Sequence, residues 1–132
     1  MTHRLRTVSC SLLASVILGA SALIGPGCTQ VQVAPDLRGE FKLGELQVFF
    51  DEDFNTVYQA AGRGMKDLNL FQTQDDRKVV EAELRGRDST DTMVIVKIKE
   101  IGPKRTSLKI RYGLKPDLPS CQRLLDAIKK HL

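Results

Sequence analysis

Nucleophilic or metal chemistry in this chain would have to draw on three cysteines, Cys10, Cys28 and Cys121, and two histidines, His3 and His131. A serine or cysteine nucleophile of the triad kind needs a basic side chain held against it. Cys10 and His3 belong to an apolar leader, so a processed chain keeps only His131, next to the final residue, where helices fray. One thiol and one imidazole do not complete a four-ligand zinc site. Asp51-Glu52-Asp53 offers carboxylates, but neighbours at a helix start diverge, and capping of free amides is their better use. Asp88-Ser89-Thr90-Asp91 lacks the Asp-x-Asp-x-Asp-Gly order of a calcium loop and reads as a solvated turn. No catalytic residue, cofactor or metal ligand is therefore assigned, and the chain is read as not an enzyme. The competing class is a small enzyme accessory; a pocket gathering two or more ionisable groups would favour it, and none is expected.

The remaining chemistry is at Cys28. Arg4 and Arg6 precede an uncharged apolar run over residues 8–24, closed by Gly25-Pro26-Gly27-Cys28. That is the order of regions in an export signal, and the Gly-Pro-Gly stretch ends any helix. A thiol directly after small residues resembles the lipobox of bacterial lipoproteins, whose cysteine takes a diacylglycerol thioether and becomes the first mature residue. The resemblance makes Cys28 the lipidation site, although Gly25 stands where leucine is usual. By the same resemblance Thr29, not aspartate, in second place implies the periplasmic face of the outer membrane. Two or three acyl chains give stable anchoring where one does not. The alternatives are cleavage after Ala20-Ser21-Ala22, releasing a soluble secreted or periplasmic protein, an uncleaved apolar anchor, for which the run is short, and a soluble cytoplasmic protein with a buried helix, which the lack of any charge from Thr7 to Val33 disfavours.

Removing residues 1–27 of 132 leaves 105, enough for one modest core. Arg4 and Arg6 go with the leader, so 18 of the 20 basic residues face all 16 acidic ones. Near balance excludes a basic nucleic-acid binder, and no tryptophan is present to stack on bases. Only Cys121 remains as a free thiol, on an apolar helix face, where it packs as a small hydrophobe.

Residues 28–39 read as the lipidated cysteine and a short tether, broken by Pro35 and Gly39, and reaching at most about 35–40 Å. Residues 40–132 read as one domain. A strand is expected over 40–50, with Leu46, Val48 and Phe50 inward. The acids at 51–53 then open a helix whose Phe54, Val57, Tyr58, Ala61, Met65 and Leu68 share one face. Gly62 and Gly64 interrupt it, for a kink or a close approach to the sheet. Strands follow over 70–75, 79–85, 93–101 and 106–112, with a polar turn at 75–78. Val80, Ala82, Leu84, Val94, Val96, Ile98, Leu108, Ile110 and Tyr112 point inward. Since inward residues are even-numbered on the last three strands, their hairpin loops should hold odd numbers of residues. One such register sets Glu83 opposite Lys97 and Glu81 opposite Lys99, a charge ladder. Asp117 caps a last helix striped by Leu118, Cys121, Leu125, Ile128 and Leu132, supported by Leu124. The fold expected is α+β: a single antiparallel β-sheet with two helices packed on one face, order β-α-β-β-β-β-α, after the signal peptide.

The other sheet face carries Lys97, Lys99, Lys109 and Arg111 beside Met93 and Ile95. Cations flanking apolar side chains suit an anionic lipid, a cell-wall polymer or an envelope protein. A solvated charge ladder needs no partner at all.

Gly44-Glu45-Leu46, Phe50-Asp51, Phe54, Val57-Tyr58, Val94-x-Val96-x-Ile98, Leu108-x-Ile110-x-Tyr112-Gly113 and Leu125-x-x-Ile128 together resemble a family of small bacterial envelope lipoproteins classed as a domain of unknown function. The resemblance covers residues 28–132 and rests on packing patterns. It implies an envelope lipoprotein acting as a binding or structural module, and brings no site residues with it.

Overall fold

The computed structural model describes residues 29–34 and 37–132. Seven strands form one antiparallel sheet: β1 (Thr29–Ala34), β2 (Leu37–Lys42), β3 (Glu45–Phe50), β4 (Phe71–Arg77), β5 (Glu81–Arg87), β6 (Met93–Gly102) and β7 (Arg105–Tyr112). Helix α1 (Phe54–Asp67) follows β3, and α2 (Leu118–Lys129) follows β7. The spatial order is β1-β2-β3-β7-β6-β5-β4. The α+β class and the single sheet with two helices on one face are as expected; the element order is β-β-β-α-β-β-β-β-α. The signal peptide and Cys28 lie outside the described residues.

The tether is the main correction. Residues 29–34 and 37–42 form a hairpin added to β3, with Gly39 paired to Val48 and Phe41 to Leu46. The single strand expected over 40–50 is accordingly two, divided by Leu43 and Gly44, both at positive φ (53° and 78°). Such a pair makes the tight two-residue reversal whose twist matches flanking strands.

Alternation holds across the centre. Leu46, Val48, Phe50, Ala82, Leu84, Val94, Val96, Ile98, Leu108 and Ile110 are buried. They face Val57, Ala61 and Met65 of α1 and Cys121, Leu124, Leu125 and Ile128 of α2 in one core. Both caps form as expected: Asp53 accepts from the Thr56 amide at 3.4 Å, and Asp117 from the Ser120 amide at 3.1 Å. Leu68 and Leu132, assigned to the apolar stripes, fall beyond the helix ends and are exposed.

Glu83 pairs with Lys97 and Glu81 with Lys99, the register that parity requires. The β5–β6 loop, residues 88–92, is odd. The β6–β7 turn has only Pro103 and Lys104 between Gly102 and Arg105, and an irregularity between Glu100 and Gly102 restores the parity.

At the β4 edge the expectation fails. Asp75, Asp76 and Arg77 belong to the strand, and Val79 and Val80 form the exposed turn after it. A bulge between Gln72 and Gln74 turns Asp75 and Arg77 toward α1. There Asp75 accepts from the Tyr58 hydroxyl at 2.6 Å, and Arg77 lies 4.6 Å over the Tyr58 ring and donates to Asn55 at 2.6 Å. These polar contacts hold a strand whose side chains are all exposed.

Gly64 serves helix-to-helix contact, not helix-to-sheet contact. A Cβ there would lie 2.7 Å from Ile128 Cγ1 and 2.8 Å from the Ile128 amide nitrogen, whereas one at Gly62 would meet nothing within 4 Å.

Candidate functional site

Odd-numbered residues of β3, β5, β6 and β7 form the outer sheet face, away from both helices. Reading across the central row, Glu40, Gln47, Lys109, Lys97, Glu83 and Asp76 lie side by side. Lys97 and Lys109 are thus directly opposite each other, and Lys99 lies opposite Ser107. Like charges in direct opposition weaken a sheet.

The charge ladder has the expected register but not the expected pairs. Glu81 takes Lys78 at 2.8 Å, and Glu83 takes Arg85 two residues along its own strand at 2.5 Å. Arg111 reaches Glu45 at 4.0 Å. Lys97, Lys99 and Lys109 have no ion-pair partner among the described residues.

The six residues singled out from sequence divide between two recesses. The three lysines line an open cleft of about 460 Å³ with Gln47, Phe49, Ile101 and Ser107. Its floor is fixed by a Gln47-to-Ser107 side-chain bond of 3.2 Å, and Arg105 sits 5.9 Å over the Phe49 ring at one rim. Met93, Ile95 and Arg111 belong to a second recess, about 930 Å³, with Arg87, Tyr112, Leu114 and Arg123. Both gather several ionisable groups, which overturns the expectation that no pocket would and counts toward the enzyme-accessory class. Phe49, Gln47, Ile101 and Ser107 were not foreseen. Their signal was available, since odd-numbered β3 and β7 positions share the face of Lys97.

The turn at 88–92 is more built than a solvated loop. Asp88 accepts from the Thr90 and Thr92 amides at 2.8 and 2.9 Å and from the Tyr112 hydroxyl at 2.9 Å. The Thr90 hydroxyl and these other donors hold its carboxyl down at about 2. Burial, then the bond to Asp88, pushes the Tyr112 phenol up to about 12. Cys121 is buried and donates to the Ile110 carbonyl at 3.6 Å; burial lifts its thiol to about 11, so it is no nucleophile at neutral pH. His131, just past α2, and Asp67, the last residue of α1, meet at 2.7 Å.

Cations set among apolar and amide groups on an open sheet can hold an anionic partner by charge and contact. Fold and face together define an α+β domain with a covered helical side and a charged sheet side that no described residue covers. The chain belongs to the family described as "Protein of unknown function (DUF3568)", which matches residues 9–131. No curated protein matches it. No helix among the described residues is long and apolar enough to cross a membrane.

Proposed function

We propose that this protein is a lipid-anchored lipoprotein of the bacterial cell envelope, held through Cys28, whose domain is a non-catalytic module binding an anionic envelope partner on Lys97, Lys99 and Lys109. The observation that carries the binding role is the opposition of Lys97 and Lys109 while the acids beside them are held by Lys78 and Arg85. An anionic partner relieves that opposition. Support for the anchor comes from the basic, apolar and small-residue order of residues 4–28, and from a family match that begins inside the apolar run. Thr29 after Cys28 favours the outer membrane.

Intact mass of the mature chain from a bacterial host tests the anchor. A diacylglyceryl Cys28 supports it; an N-terminus at Leu23 means release in soluble form. For the face, Lys97→Glu, Lys99→Glu and Lys109→Glu are combined and pull-downs run against cell-wall polymer, envelope proteins and anionic vesicles. Loss of one retained partner is expected, and unchanged retention of every partner rejects the face.

A further inference from the structure

The end of the sheet where β1 starts carries exposed apolar side chains paired with cations. We infer that this end, centred on Lys42-Leu43 and Leu114-Lys115, is a bilayer-contact surface that seats the domain on anionic lipid head groups in one orientation. The inference rests on the anchor at Cys28 proposed above.

Thr29 opens β1 and pairs with Phe41, so the chain enters the sheet beside the turn at Lys42-Leu43-Gly44. One peptide bond separates Thr29 from Cys28, so the acyl chains leave the domain at this end. Leu43 is 85% exposed and Leu114 93% exposed, each with a lysine next to it in sequence. The two belong to one surface, because a Cβ on Gly44 would lie 3.6 Å from Pro116, which packs the β2–β3 turn against the β7–α2 connection. Among the described residues no apolar neighbour covers either leucine, and a leucine with an adjacent lysine suits an interface of acyl chain and phosphate. Most acids at this end are engaged: Glu45 faces Arg111, Asp91 pairs with Arg87 at 2.8 Å, Asp88 is held in its turn and Asp117 caps α2, while Glu40 lines a recess with Lys42 and has no ion pair among the described residues.

The orientation also separates the two basic regions. Strands rise about 3.3 Å per residue, which puts Lys97 and Lys99 roughly 13 and 20 Å beyond Met93 along β6. The head-group potential fades within about 8 Å at physiological salt. Lys42 and Lys115 therefore meet the lipid, Lys109 lines a recess with Lys42 at the boundary, and Lys97 and Lys99 face sideways toward a partner in the envelope space.

The test uses the full lipidated protein in vesicles containing phosphatidylglycerol. Single cysteines replace Leu43, Leu114 or Val79, the last in the exposed turn at the opposite end, and carry an environment-sensitive fluorophore. These sites are exposed, so no core is lost, and buried Cys121 and an acylated Cys28 stay unlabelled. Spin-labelled lipid should quench the fluorophore at positions 43 and 114 several-fold more than at 79. Lys42→Glu with Lys115→Glu should erase that difference, whereas Lys97→Glu should leave it intact. Equal quenching at all three sites, with acylation confirmed by mass, overturns the orientation and leaves the anchor standing. A chain without acyl mass removes both.

Discussion

Replacing Gly64 or Gly62 by alanine changes the same atom in the same helix two residues apart, and the two substitutions should shift stability in opposite directions. Alanine is favoured over glycine inside a helix by about 1 kcal/mol, a gain both variants share. At position 62 the new methyl meets nothing within 4 Å, so Gly62→Ala should stabilise by that amount. At position 64 it would lie 2.7, 2.8 and 2.9 Å from Ile128 Cγ1, N and Cα, where carbon contacts normally sit at about 3.5–4.0 Å. Two of those atoms are backbone, so α2 has to move away from α1 by close to 1 Å, and a gap of that size forfeits roughly a quarter to a half of each contact's attraction. Overpacking of this kind costs about 1–3 kcal/mol, and backbone displacement places it near the upper value. Because the propensity gain cancels, the two variants should differ by about 3 kcal/mol, or roughly 12–24 °C in melting temperature for a domain this size. Urea and thermal unfolding followed by far-UV circular dichroism measure it. A Gly64→Ala protein as stable as Gly62→Ala would refute the close helix contact.

Lys109 faces Lys97 on one side and Gln47 on the other, so Lys109→Glu should raise stability by about 0.2–1 kcal/mol while weakening capture of an anionic partner; a coupled loss of both in unfolding and pull-down assays would contradict the charge argument. The Asp88 carboxyl titrates near 2 in the folded chain against an ordinary 3.8. Its ionised form therefore favours folding; that contribution is complete above the ordinary value and is lost as pH falls through 2. Asp88→Asn should lower the melting temperature at pH 7 and flatten the acid limb of a stability-versus-pH curve, and an unchanged limb counts against the turn. Cys121 should react with a thiol reagent at pH 8 only at the rate of unfolding, because burial keeps it as the thiol; rapid labelling of the native protein would show an open site instead. Leu84→Ala, in the centre of the core, should cost about 2–5 kcal/mol by the same unfolding measurements.

Features that depend on neighbours along the chain were legible before any fold was known. Alternation at 82–84, 94–98 and 108–110 decides which side chains share a face, since successive residues on a strand point to opposite sides. That parity, with short connections, led to the pairing of Glu83 with Lys97. Asp53 and Asp117 were legible because a cap bonds an amide three residues away. The outer-face lysines could be placed on the candidate site for the same reason. Even the hairpin at 29–42 left a signal, Gln30-Val31-Gln32-Val33, but so short a period becomes a strand only when an edge such as β3 is there to pair with.

Features that depend on distant partners came from the way the chain folds back on itself. Strand β7 comes to lie between β3 and β6, and sets Lys109 against Lys97. Glu81 and Glu83 had cations on both sides, and side-chain reach gave them to Lys78 and Arg85, leaving the facing lysines free. Gly64 meets Ile128 across 64 residues of chain, and the bulge in β4 turns Arg77 onto Tyr58. Local periodicity fixes the face a residue occupies, because backbone geometry repeats. Which group waits across from it depends on how the layers close, and that carries no sequence period.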